Sequence, residues 1–108
     1  MSEVVARIQA PPRARPGEVV EVKALISHPM ESGFRADAEG RLLARDLIRR
    51  FACTSDGETI FAADFYPSIA ANPYLAFAVR VDATLTLQFD WVGDNGFAHR
   101  ESATIQVV

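Results

Sequence analysis

A chain of 108 residues with 49 % apolar and 23 % charged residues has the length and mixture of one globular domain with its own core. Eleven basic against fourteen acidic residues give a formal charge of −3, which argues against a nucleic-acid or anionic-membrane partner. Cys53 is the one cysteine, so no intramolecular disulfide can form, and a single thiol does not fix the compartment.

The opening MSEVVARIQA has an early acid and no apolar stretch ahead of a small-residue cleavage site, so no signal peptide is expected. No run has the length of a transmembrane helix. Alternation with period two then marks strands. Residues 4–9 form the first, with Val4, Ala6 and Ile8 on one side. The prolines of 10–18 make a corner, and Pro16-Gly17 suits a β-turn. Residues 18–27 follow, with Val20, Val22, Ala24 and Ile26 inward.

The stretch SHPMESGFRADAEGR, 27–41, is too long for a tight turn, and the irregular region continues to 45. A helix is conceivable only over 40–50, where the leucine spacing is mixed; loop followed by strand is preferred. The strand at 46–54 alternates poorly, because Arg49 and Arg50 interrupt it while Phe51 and Cys53 share a face. Asp56-Gly57 signals a hairpin into a strand at 58–67. Residues 73–82 place Leu75, Phe77, Val79 and Val81 on one face, and 84–92 do the same with Leu85, Leu87, Phe89 and Trp91. Asn95-Gly96 turns the chain into the last strand, 97–108, with Ala103, Ile105 and Val107 inward. About seven short strands with turn signals between them predict an all-β, immunoglobulin-like antiparallel sandwich over residues 1–108.

No catalytic constellation emerges. Ser27 and His28 are neighbours whose side chains would diverge on a strand, and Asp37 and Glu39 sit in a polar loop. No Gly-x-Ser-x-Gly or phosphate-cradling loop is present. His28, Met30, Cys53 and His99 are copper-ligand types, yet they lack the late Cys, His and Met cluster of blue-copper loops, and two His with one Cys at no recognised spacing do not make a zinc site. Cys53 shares the face of Phe51 and reads as a buried thiol; a small thiol or copper redox protein using Cys53 is the alternative reading.

Binding is the default. Long loops on rigid sandwiches carry partner surfaces. Met30, Phe34, Leu42 and Leu43 in the long loop, and Phe65, Tyr66, Ile69 and Tyr74 in the irregular 65–74, are of the types enriched in interface cores or are apolar and exposed-looking. His28, Met30, Phe34, Leu42, Tyr66 and Tyr74 are the candidate partner-binding residues. The basic group Arg41, Arg45, Arg49 and Arg50 could meet an acidic surface or simply be solvated.

The stretches VKALISHPMESGFR (22–35), IRRFACTSDGETIF (48–61), AANPYLAF (70–77) and FDWVGDNG (89–96), behind the corner PPRARPGE (11–18), resemble the Z-subunit family of the sulfur-oxidising (Sox) carrier complex over nearly the whole chain. The resemblance implies an immunoglobulin-like, non-catalytic subunit without a cofactor. It implies a heterodimer with a Y subunit, which bears the sulfur-carrying cysteine on a Gly-rich C-terminal arm, and transient meetings with other periplasmic Sox enzymes. It implies a periplasmic location reached by export alongside the partner. This chain ends in ATIQVV without a Gly-rich tail, so the Y role and its cysteine do not transfer to Cys53.

Overall fold

An alternating strand with one apolar face must bury that face against another layer. The computed structural model describes residues 4–66 and 71–108 and shows how this is done. Among these residues the strands are β1 (Ala6–Gln9), β2 (Arg13–Ala14), β3 (Glu18–Ile26), β4 (Ile48–Ser55), β5 (Glu58–Asp64), β6 (Tyr74–Val81), β7 (Leu85–Gly93) and β8 (Ala98–Val107). They form a three-stranded sheet, β1-β3-β6, and a five-stranded sheet, β2-β8-β7-β4-β5. The fold is an immunoglobulin-like β-sandwich.

The core fills the space between the sheets. Val20, Val22, Ala24 and Ile26 of β3 and Phe77, Val79 and Val81 of β6 face Phe51 and Cys53 of β4 and Leu87, Phe89 and Trp91 of β7. Phe51 is the hub: its ring lies 5.2 Å from Trp91 and 6.2 Å from each of Phe61, Phe77 and Phe89. Such spacings are those of favourable aromatic pairs. Phe61 stacks on Phe77 at 4.5 Å and closes the side where β5 and β6 lie over one another.

The seven expected strands all exist, and several details differ. Val4 and Val5 are exposed and precede β1. The proline corner carries a short eighth strand, β2, which pairs with β8 in parallel. The poor alternation of β4 is a bulge. Ile48 pairs with Gly93 and Arg50 with Val92, which leaves Arg49 as the extra residue, so two arginines in succession face solvent. A second shift lies between Cys53 and Thr54 against β5, where Ile60 is the surplus residue. Asp56 and Gly57 both have positive φ, as a two-residue hairpin of type I′ requires.

Gly93 is where the bulged strand comes closest to its neighbour. A Cβ there would lie 2.3 Å from the Leu47 carbonyl oxygen and 2.9 Å from the Ile48 Cα, both backbone atoms that cannot swing aside. Gly93→Ala is expected to cost about 1–3 kcal/mol, the range of an overpacked site. Denaturant unfolding of the variant beside the natural protein measures it.

Candidate functional site at one end of the sandwich

Strands β3, β5 and β7 end, and β4, β6 and β8 begin, at the same end of the sandwich. The long loop, Phe65 and Tyr66 after β5, residues 71–73 before β6 and the Gly93–Phe97 turn therefore gather there. All six candidate residues lie in or beside these segments.

Much of the long loop is not loose. Glu31 and Asp46 exchange two backbone hydrogen bonds of 2.8 Å. Further out, Leu43 donates to the Arg35 carbonyl and Asp37 to the Arg41 carbonyl, so that Ala36 sits opposite Leu42. Residues 31–46 are thus an irregular hairpin arm. Its tip is turned by the Asp37 carboxylate, which accepts from the Glu39 and Arg41 amides at 2.9 Å. The long axis of the molecule is 58 Å, about twice the ~30 Å span of a nine-residue strand, as an arm projecting from one end requires.

Charge and chain geometry fix the base of the arm. The Asp94 carboxylate accepts from the Leu47 amide at 3.1 Å and from Arg45 at 3.0 Å, with Arg49 3.6 Å away. Partial desolvation works against the Asp94 charge, but the Leu47 amide and the two guanidinium groups hold its carboxyl below the ordinary range. Asn95 donates to the Arg45 carbonyl at 3.3 Å. At Gly33, φ is +87° and a Cβ would come within 3.2 Å of the Arg45 Cβ, so the crossing of the two arm strands favours glycine.

The start of the arm is held by a knot of hydrogen bonds. The His28 amide donates to the Asn72 side-chain oxygen at 2.9 Å, and the Asn72 amide donates to the His28 carbonyl at 2.7 Å. His28 Nδ1 accepts from the Met30 amide at 3.0 Å, and Met30 Sδ accepts from the Ile48 amide at 3.3 Å. The His28 ring meets Phe97 edge-on at 4.8 Å. Since Nδ1 is an acceptor, the neutral ring carries its proton on Nε2, which faces Asp46 Oδ1 at 3.8 Å. Burial pushes the His28 pKa down, against the opposing pull of Asp46 and Asp94.

The six candidates therefore separate. Phe34 is 81 % exposed, Leu42 70 %, Tyr66 64 % and Tyr74 55 %. His28 and Met30 are each only 5 % exposed. Met30, expected on the surface, is a core residue; its backbone is left-handed (φ 51°), a conformation uncommon for a bulky side chain, and this turns the thioether inward. His28 and Met30 thus offer no outer surface and serve as internal supports of this end of the fold. Phe65 is also buried, Leu43 is half-buried, and Ile69 lies outside the described residues.

Sequence reasoning missed how the arm groups its apolar residues. Alternation from the Ala36–Leu42 pair puts Phe34, Ala36, Leu42 and Ala44 on one face, and all four are exposed. Arg35 and Leu43 fall on the other. The signal that could have found this was the Asp-x-x-Gly sequence Asp37–Gly40, a turn flanked by residues of matching parity.

Cys53 does not meet the other sulfur and imidazole groups. It is fully buried, paired in register with Phe61 and Phe89, and burial pushes its thiol up to about 11. It lies five residues along β4 from Ile48, whose amide meets Met30, or about 16 Å at strand rise. The nitrogen Nδ1 of His28 and the sulfur of Met30 already accept backbone hydrogen bonds. His99 lies half-buried on β8, 2.8 Å from Glu101. The reading of Cys53, His28 and Met30 as one redox site is thereby corrected.

A family model described as "Sulphur oxidation protein SoxZ" matches residues 8–104. The chain belongs to the SoxZ family. No curated protein sequence is similar enough to match. Among solved structures, the sulfur carrier protein SoxY from Chlorobium limicola f thiosulfatophilum is similar at 17 % identity and TM-score 0.67, over 94 % of this chain and 74 % of that one. A superoxide reductase (neelaredoxin) from Ignicoccus hospitalis is similar at 16 % identity and TM-score 0.70, over 95 % of this chain and 80 % of that one. A putative superoxide reductase from Thermotoga maritima follows at 14 % and 0.68, over 95 % and 85 %. At these identities the likeness is one of architecture. The family places this SoxZ-type chain in Sox-system sulfur oxidation.

Two outcomes follow for the knot. Met30→Asp puts a carboxylate in a position that is 5 % exposed and is expected to destabilise the domain by several kcal/mol, read as a fall in the unfolding midpoint. The His28 pKa is lower in the folded chain than in the unfolded one, so the folded state resists the proton that the unfolded state accepts. Stability from this residue is full above about pH 6.5 and falls below it, by up to about 1.4 kcal/mol per pH unit until the folded pKa is reached. Urea titrations between pH 7 and 5 measure that slope, and His28→Gln is expected to flatten it.

Proposed function

We propose that this chain is the non-catalytic subunit of a periplasmic sulfur carrier and binds a Y-type subunit, which bears the working cysteine. The observation that carries the reading is the arm: a projecting hairpin with Phe34, Ala36, Leu42 and Ala44 exposed together. A small exposed apolar face on a charge-tied base is what a partner contact needs. Membership of the SoxZ family supports a Y-type subunit as that partner. Tyr66 follows β5 next to the base of the arm, where the Phe65 amide bonds the Arg49 carbonyl, and extends the same surface. Tyr74 contributes from its margin on the outer face of β6.

On this reading the subunit brings no reacting group. Its buried thiol is kept protonated, and its two histidines are occupied by a backbone amide and by Glu101. Docking the Y-type subunit on the arm would stabilise it and leave its own arm free to visit enzymes.

Co-expression with a Y-type subunit is expected to give a one-to-one complex in size-exclusion chromatography; separate elution at micromolar concentration overturns the reading. Phe34→Asp combined with Leu42→Asp is expected to weaken that complex at least tenfold, about 1.4 kcal/mol, while the lone domain keeps its unfolding midpoint. Unchanged affinity would remove the arm from the interface. Detection of the chain in the periplasmic fraction, dependent on the Y-type subunit, tests the location.

A further inference from the structure

β6 is an edge strand of the three-stranded sheet, and its outer side has no neighbour among the described residues. Which of its backbone groups are unpaired follows from the ladder. The Ile26 amide donates to the Pro73 carbonyl at 3.3 Å, so that pair is of the hydrogen-bonded type. This type recurs every second residue in an antiparallel ladder. Leu75, Phe77, Val79 and Val81 therefore bond β3, and Tyr74, Ala76, Ala78 and Arg80 turn their N–H and C=O groups to the open side. No hydrogen bond among the described residues reaches those groups.

The other edges carry the usual safeguards. β1 is four residues long and runs into Pro11-Pro12, and β2 is two residues long, close to Pro16. β5 has acidic residues at both ends and a register shift that distorts it. β6 runs straight for eight residues, YLAFAVRV, with no proline, no bulge and one charge near its end. Natural edges are rarely left so bare unless something pairs with them.

We propose that the occupant is β6 of a second copy of this chain, paired antiparallel about a two-fold axis, so that two three-stranded sheets become one of six strands. The strand is complementary to itself in the register that joins its unpaired groups. Ala76 then stands opposite Ala78 of the second copy, and Tyr74 opposite its Arg80. No like charges meet, the cation lands beside an aromatic ring, and the small alanines leave the approach open. Two-fold contacts of this self-complementary kind are the commonest in homo-oligomers. The edge shares only Tyr74 with the proposed Y-type docking surface, and the arm residues Phe34 and Leu42 lie outside it, so the two proposals are tested by different variants.

The test uses the full chain alone. Sedimentation equilibrium at tens of micromolar is expected to give twice the 11.8 kDa chain mass. Ala78→Pro removes an N–H that faces only the open edge, and edge strands accept proline there. It is expected to weaken the dimer at least tenfold with an unchanged far-ultraviolet circular dichroism spectrum. Should that variant not fold, a second measurement decides: Ala76→Cys mixed with Ala78→Cys is expected to form a disulfide between copies, since Cα atoms in such pairs lie about 5.5 Å apart. A monomer throughout, a dimer indifferent to Ala78→Pro, or a dimer without the mixed disulfide each overturns the proposal. So does failure of that disulfide to form when a Y-type subunit is present, which would assign the edge to that subunit.

Discussion

The geometry of the functional end depends on one small knot in which His28 and Asn72 satisfy each other's backbone. A chain leaving a sheet must find partners for peptide groups that no longer have a strand beside them. Here the Asn72 side chain accepts from the His28 amide, the Asn72 amide donates back, His28 then receives the Met30 amide, and Met30 receives that of Ile48. Four residues from three separate stretches of the chain thereby tie β3, β4 and β6 together where the arm departs. With the start of the arm fixed here and its return fixed by Asp94, the arm's direction is set by the body of the fold.

The two sheets treat solvent differently. The outer face of the five-stranded sheet is crossed by Arg50–Asp64 and Arg100–Asp90 ion pairs and by the Thr86–Thr104 hydroxyl contact. Exposed pairs of this kind add little stability, but they keep the face wet and unattractive to other proteins. The outer face of the three-stranded sheet has its own charges, Arg7, Glu21, Lys23 and Arg80, and beside them Val19, Leu25, Tyr74, Ala76 and Ala78 are exposed. Exposed apolar side chains on the larger sheet, Ile60 and Val92, stand singly, while those of the arm and of the smaller sheet lie closer together.

Most of the sandwich was legible because its strands alternate with period two. Residues 84–92 and 73–82 stated their inward faces outright, and Asp56-Gly57 and Asn95-Gly96 announced turns that the positive φ values bear out. What misled was every place where one residue too many, or a special backbone angle, breaks that rhythm. Arg49 and Arg50 looked like noise in a strand because a bulge sets two successive side chains outward. Met30 looked like a surface residue because nothing in its letter says that its φ is positive. β2 escaped because two residues are too few to alternate. The family motifs were readable as a resemblance, yet their physical reason, SHPM clasping NPY, needed coordinates.

The sealed position of Cys53 has a consequence for a protein that lives among sulfur compounds. Thiol exchange requires a thiolate, access and a line of attack on another sulfur. A thiol at about 11, walled in by Phe61 and Phe89, offers none of these near neutral pH. Persulfides, thiosulfonates and polysulfides can pass this molecule without being captured, reshuffled or reduced by it. Through Cys53 the molecule adds no reactive sulfur of its own to the chemistry around it.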